Sequence, residues 1–121
     1  MADALDLEKV FADLPTVAFP YDSSRPVKGW LVQARSHQVA FWQSKEAWES
    51  AEHSHPYAEW GIVVTGWCDI TTPEGRRRYH RGDVFYLAPG VPHASAMSED
   101  YRSIDVFFSP THLSAGLAES G

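Results

Sequence analysis

His53-Ser54-His55-Pro56-Tyr57-Ala58-Glu59 is the stretch that decides how this chain is read. On a strand, residues i and i+2 point to the same face with Cα atoms roughly 6.5–7 Å apart, so two imidazoles there can converge on one ion. On a helix the same spacing sends them to nearly opposite sides. Pro56 disfavours helical angles at His55 and selects the extended reading. Glu59 follows a Pro-containing bend and can return a carboxylate to the same point. Further on, the tight run Pro89-Gly90-Val91-Pro92 delivers His93 at the start of another strand. Three imidazoles and one carboxylate suit a divalent transition metal ion (Fe, Mn, Co, Ni, Cu or Zn), and no thiolate selects among them.

Outward from this stretch, short runs rich in Val, Ile, Phe, Tyr and Trp alternate with turn residues. The expected strands are 27–34, 38–44, 59–66, 67–72, 76–81, 83–88, 93–97 and 101–108. Between them lie turn signals such as Pro73-Glu74-Gly75, Arg81-Gly82-Asp83 and Ser98-Glu99-Asp100, and Gly66, Gly82 and Gly90 suit turns with unusual backbone angles. Regular short strands without a long helix argue for an all-β sandwich or closed barrel over a parallel α/β sheet. Before them, Leu7, Val10, Phe11 and Leu14 form one face of a short helix, with Asp3 or Asp6 as cap and Pro15 as its end. The expected organisation is a helix and extended connector over 1–26, a barrel over 27–110 and a loose tail over 111–121.

Two motifs carry a resemblance to a known family. His53-x-His55-x-x-x-Glu59 with Gly66 resembles the first cupin motif, and the run from Gly82 to Pro92-His93 resembles the second. The resemblance implies a small antiparallel jelly-roll barrel, a double-stranded β-helix, with a metal held by His53, His55, Glu59 and His93. The chain departs from the family pattern at Ala47, where Gly is common, at the order Ala88-Pro89, and at Met97, where Asn is common. None of these removes a ligand.

Composition sets the remaining bounds. The chain has 121 residues, 10 basic and 16 acidic, for a net charge of −6. That length suits one domain, and the acidic balance argues against nucleic acid or an anionic membrane as partner. A single cysteine, Cys68, excludes a disulfide framework and fits a reducing compartment; with no signal segment or apolar span visible, a cytoplasmic location is expected. Cys68 itself reads as a small buried residue.

Period 2 from an inward Glu59 puts Gly61, Val63 and Thr65 inward and Trp60, Ile62 and Val64 outward. An outward Trp-Ile-Val row must be covered, by the N-terminal helix or by a second subunit, and a homodimer is the preferred reading. Trp42, Tyr57, Phe85 and Phe107 are candidates for the pocket mouth or wall. Asp105 either orients a ligand His from inside or faces water opposite Ile104 and Val106, and the water-facing reading is preferred. Arg76 and Arg78 share one face of a charge-guarded edge strand. His37, His80 and His112 lie by turns or in the tail and are given no ligand role. The expected function is that of a metal-dependent enzyme acting on a small molecule in the barrel (oxygenase, isomerase or lyase, with dioxygenase-like chemistry foremost), Glu59 being the candidate base if it leaves the ion. The alternative is a non-catalytic small-molecule binding or sensing module.

Overall fold

The computed structural model describes residues 7–18 and 26–114. Among these, the β-branched and aromatic runs become nine strands: β1 Val27–Gln33, β2 Gln38–Ser44, β3 Trp48–Glu49, β4 Glu59–Thr65, β5 Trp67–Thr72, β6 Gly75–His80, β7 Val84–Leu87, β8 Ala94–Met97 and β9 Tyr101–Phe107. All the expected strands are present with small shifts at their ends. The two-residue β3 was not read, because Lys45-Glu46-Ala47-Trp48-Glu49 carries no alternation and pairs only along two residues of β8. Antiparallel pairing gives a five-stranded sheet in the order β1-β2-β9-β4-β7 and a four-stranded sheet in the order β3-β8-β5-β6. Packed face to face, they make an all-β jelly roll. No helix among the described residues is long and apolar enough to cross a membrane.

The core lies between the sheets, where Val63, Cys68, Ile70, Phe85, Leu87 and Tyr101 are buried together. Alternation along β4 follows the expected parity: Glu59, Gly61 and Val63 are buried, while Trp60 and Ile62 are partly covered and Val64 is exposed. A register shift between Val63 and Thr65 ends that regular pattern. Gly66, Gly82 and Gly90 all have positive φ, as expected of their turns. Strand β9 alternates in the same way, so Tyr101, Ser103, Asp105 and Phe107 face inward. This corrects the expectation for Asp105, which is only 7% exposed. Phe107 and Asp105 necessarily share a face, so a Phe107 placed in the pocket brings Asp105 with it.

The outer face of the five-stranded sheet is apolar from strand to strand. Tyr86, Trp60 and Val106 stand side by side across β7, β4 and β9, as do Val84, Ile62, Ile104 and Phe41 on the next row. The N-terminal segment covers one end of it. Helix α1 is a single turn, Leu7–Val10, and Phe11 beyond it stacks on Phe41 and packs against Trp30. Val10 stays exposed, so the expected four-residue face is only partly used, and Asp3 and Asp6 lie outside the described residues. The first connector residues extend the sheet: Thr16 bridges Trp30, and Val17 N–H donates to the Gly29 carbonyl.

Residues 111–114, where the expected tail begins, are held by hydrogen bonds, and 115–121 lie outside the described residues. The buried Gln38 side chain donates to the Leu113 carbonyl and accepts from the Leu113 N–H, at 2.9 and 2.8 Å. Ala18 N–H closes on the Ser114 carbonyl at 2.8 Å. These bonds hold Leu113 to β2 and Ser114 to the N-terminal connector.

Candidate metal centre

Strand pairing brings the two histidine-bearing stretches together. His53 and His93 form an isolated antiparallel bridge, each N–H donating to the other's carbonyl, at 2.9 and 2.8 Å. The Gly90 N–H docks on the His55 carbonyl at 2.8 Å, which fixes the turn before His93. As a result, ligand atoms of His55, Glu59 and His93 lie within 4.8 Å of one another, and all three residues are buried. His53 is exposed at the rim. It stands outside this compact trio, but its ring centroid is 4.3 Å from that of His93.

The three imidazoles share one hydrogen-bonding pattern. Nδ1 of His53 contacts the Ala51 carbonyl at 2.9 Å, Nδ1 of His55 the Tyr57 carbonyl at 2.7 Å, and Nδ1 of His93 the Val91 carbonyl at 2.9 Å. A carbonyl only accepts, so each Nδ1 carries a proton, and in the neutral ring each Nε2 keeps its lone pair for a cation. His55 Nε2 lies 3.3 Å from Glu59 Oε1. Two acceptors at that separation need either a proton between them or a cation beside them that both can ligate.

The charges agree. Burial pushes the Glu59 carboxyl up to about 7. Asp105 is raised well above its ordinary range, by burial first and then by the neighbouring Glu59 charge; Ser103 Oγ donates to it at 2.9 Å. Burial lowers His93, with its backbone hydrogen bond opposing the shift. Two buried acids stand beside the imidazoles of His55 and His93, a set of oxygen and nitrogen donors that suits a transition metal.

The family profile for the cupin domain matches residues 41–106 and so spans both histidine stretches. The chain is a cupin. Solved structures agree on the fold. KdgF from Halomonas sp. superposes with a TM-score of 0.64 at 20% identity, over 72% of this chain and 81% of that one. An RmlC-like cupin from Shewanella frigidimarina gives 0.66 at 21% identity, over 75% and 82%. A single-site variant of oxalate decarboxylase from Bacillus subtilis gives 0.67 at 19% identity over 84% of this cupin, which spans 29% of that longer chain. At these identities the likeness is one of fold. Among curated proteins there is no sequence match.

A cavity of about 640 Å³ opens beside the trio in this cupin. Trp42, Phe85 and Phe107 line it, as do His53, Glu59, Asp105 and His93. Tyr57 is not part of that wall; it stacks on His55 with ring centroids 4.5 Å apart. Gly61 makes the inner wall possible, since a Cβ there would strike the Phe85 ring and approach Asp105 Oδ1 within 2.8 Å. Two residues without a sequence-assigned role belong to the site. One is Asp105. The other is His112, which lines the cavity, stacks on Phe107 with centroids 4.2 Å apart and stands 5.3 Å from the His55 ring. Parity with Phe107 was a signal for Asp105. His112 had none, because it follows Pro110 outside any strand.

The other groups carry no such chemistry. Cys68 is buried and free, and burial raises its thiol to about 11, far from a reactive thiolate. Arg76 and Arg78, on the edge strand β6, both reach Asp69, at 2.8 and 2.7 Å.

Proposed function

We propose that this cupin is a metal-dependent enzyme, with His53, His55, Glu59 and His93 holding one divalent transition metal ion and a small molecule bound in the cavity beside it. The observation that carries the reading is the close approach of the His55, Glu59 and His93 ligand atoms, with Nδ1 of every imidazole in the set engaged by a carbonyl. When bound, such an ion supplies Lewis acidity and exchangeable positions for a substrate carbonyl or carboxylate. Oxygenase, isomerase and lyase chemistry all fit that arrangement, and we favour the dioxygenase-like class. Oxalate decarboxylase of Bacillus subtilis, similar in fold, has Mn(II) centres. Glu59 is a ligand that can act as a base when released, and Trp42, Phe85 and Phe107 shape the wall.

The apolar outer face supports a homodimer paired through Trp60, Ile62, Val84 and Tyr86, of which Val84 and Tyr86 are 58% and 61% exposed. Light scattering is then expected to give twice the 13.6 kDa of one chain. The single buried thiol supports a reducing, cytoplasmic setting.

The test of the enzyme reading is turnover. Protein loaded in turn with Fe(II), Mn(II), Co(II) and Ni(II) is offered diketones, thiols and phenols while oxygen uptake and product formation are followed, with His93→Ala as control. Turnover by the wild type that the control lacks supports the enzyme. Silence with every metal, together with a ligand-dependent rise in melting temperature, overturns it in favour of a binding or sensing module.

A further inference from the structure

We propose that His112 contacts the small molecule in the cavity and does not bind the metal, giving the site a hydrogen-bond donor for a carbonyl, carboxylate or enolate oxygen. The proposal rests on the metal-centre reading above and deepens it. It begins with a contrast between imidazoles. His53, His55 and His93 each set Nδ1 against a carbonyl and so keep Nε2 as a lone pair. His112 sets Nδ1 against the Tyr57 hydroxyl. A phenol donates more readily than an imidazole N–H, so Nδ1 accepts and the ring proton sits on Nε2. An Nε2–H is a donor and cannot ligate a cation.

That nitrogen is open. No hydrogen bond to His112 Nε2 is formed among the described residues, and the one buried side-chain nitrogen or oxygen without a partner there is Arg102 Nε. His112 lines the same cavity as Glu59 and His93. Its position is built into the fold. Phe107 stacks under the ring, and Gln38 clamps the adjacent Leu113 through both backbone groups. Tyr57 is then a positioning residue: its ring backs His55 while its hydroxyl sets the tautomer of His112.

Azide, a small anion that accepts hydrogen bonds, is the probe. The full chain is loaded with Co(II), and azide is titrated while the visible absorption of the metal is followed. His112→Phe keeps the stacking on Phe107 and removes the donor. It is expected to hold as much Co(II) as the wild type and to bind azide about tenfold more weakly, as loss of one hydrogen bond implies. His112→Gln, which restores an N–H, recovers part of the affinity. Tyr57→Phe, which frees the tautomer, weakens azide by a smaller factor of about three, a fraction of one hydrogen bond, and serves as a second reading if His112→Phe fails to fold. Unchanged azide affinity in the His112→Phe and Tyr57→Phe proteins overturns the proposal. So does loss of Co(II) from His112→Phe, which would make His112 a ligand. Wild-type protein that takes up no Co(II) overturns the metal-centre reading, and this proposal with it.

Discussion

Two groups of buried acids in this barrel meet opposite fates. Asp69 on β5 is 5% exposed, and Glu59 and Asp105 are each 7% exposed. Asp69 is answered by its own hairpin. Arg76 and Arg78, two residues apart on β6, both turn to its carboxylate, and the Arg78 guanidinium also lies 3.6 Å above the Trp67 ring. The hydrogen bond from Arg78, with Arg76 adding to it, holds Asp69 down at about 2. Glu59 and Asp105 face inward from β4 and β9, and no lysine or arginine among the described residues lines the cavity around them. Burial therefore drives both upward. The difference separates a carboxylate answered by its own scaffold from a pair that no protein cation answers, and the transition metal proposed for the neighbouring imidazoles would supply that charge.

The largest break in that comparison is removal of the metal. Protein with an ion at about a thousand times its dissociation constant is stabilised by about 4 kcal/mol, so a chelator should lower the melting temperature strongly. His93→Ala should be insensitive to the same treatment. Next is the wall that seats the inner pair. Gly61→Ala pushes a methyl into Phe85 and Asp105, and a cost of about 2 kcal/mol in urea unfolding is expected, together with weakened metal uptake.

The pH responses of the two groups should have opposite signs. The Glu59 carboxyl is raised from 4.5 to about 7, so in metal-free protein its stabilising, protonated form is fully present below pH 4.5 and lost as pH rises through 7. Metal-free protein should thus melt lower at about pH 8 than at about pH 6. Bound metal, which needs the carboxylate, should abolish or reverse that slope. Asp69 is lowered from 3.8 to about 2, so its contribution is present above pH 3.8 and lost as pH falls through 2. The guanidinium partners are about half exposed, and screening reduces the effect to about 1 kcal/mol. Asp69→Asn should cost the same small amount near neutral pH and leave metal content unchanged.

Much of this was legible from residue order. Alternation around Glu59 placed Gly61 and Val63 inside and Trp60 and Ile62 outside, because a one-residue slip would have exchanged the two faces. Spacing in the histidine stretch allowed His53, His55 and Glu59 to converge, and the resemblance to the two cupin motifs is what joined His93 to them; His55, Glu59 and His93 do come together. Asp105 was legible and misread: a charge between Ile104 and Val106 looks solvated until Phe107 fixes the parity. His112 was not legible, since its position depends on Gln38, 75 residues away along the chain from the Leu113 backbone it holds. Nor was the partner of Asp69, because cross-strand register decides which arginines of Arg76-Arg77-Arg78 reach it.

The central claim is that this barrel holds one transition metal ion on its two histidine stretches. Elemental analysis of protein purified without added metal, beside a His53→Ala/His93→Ala variant, tests it most directly. Close to one transition metal ion per chain is expected in the wild type and almost none in the variant. Wild-type protein carrying no more transition metal than the variant would contradict it.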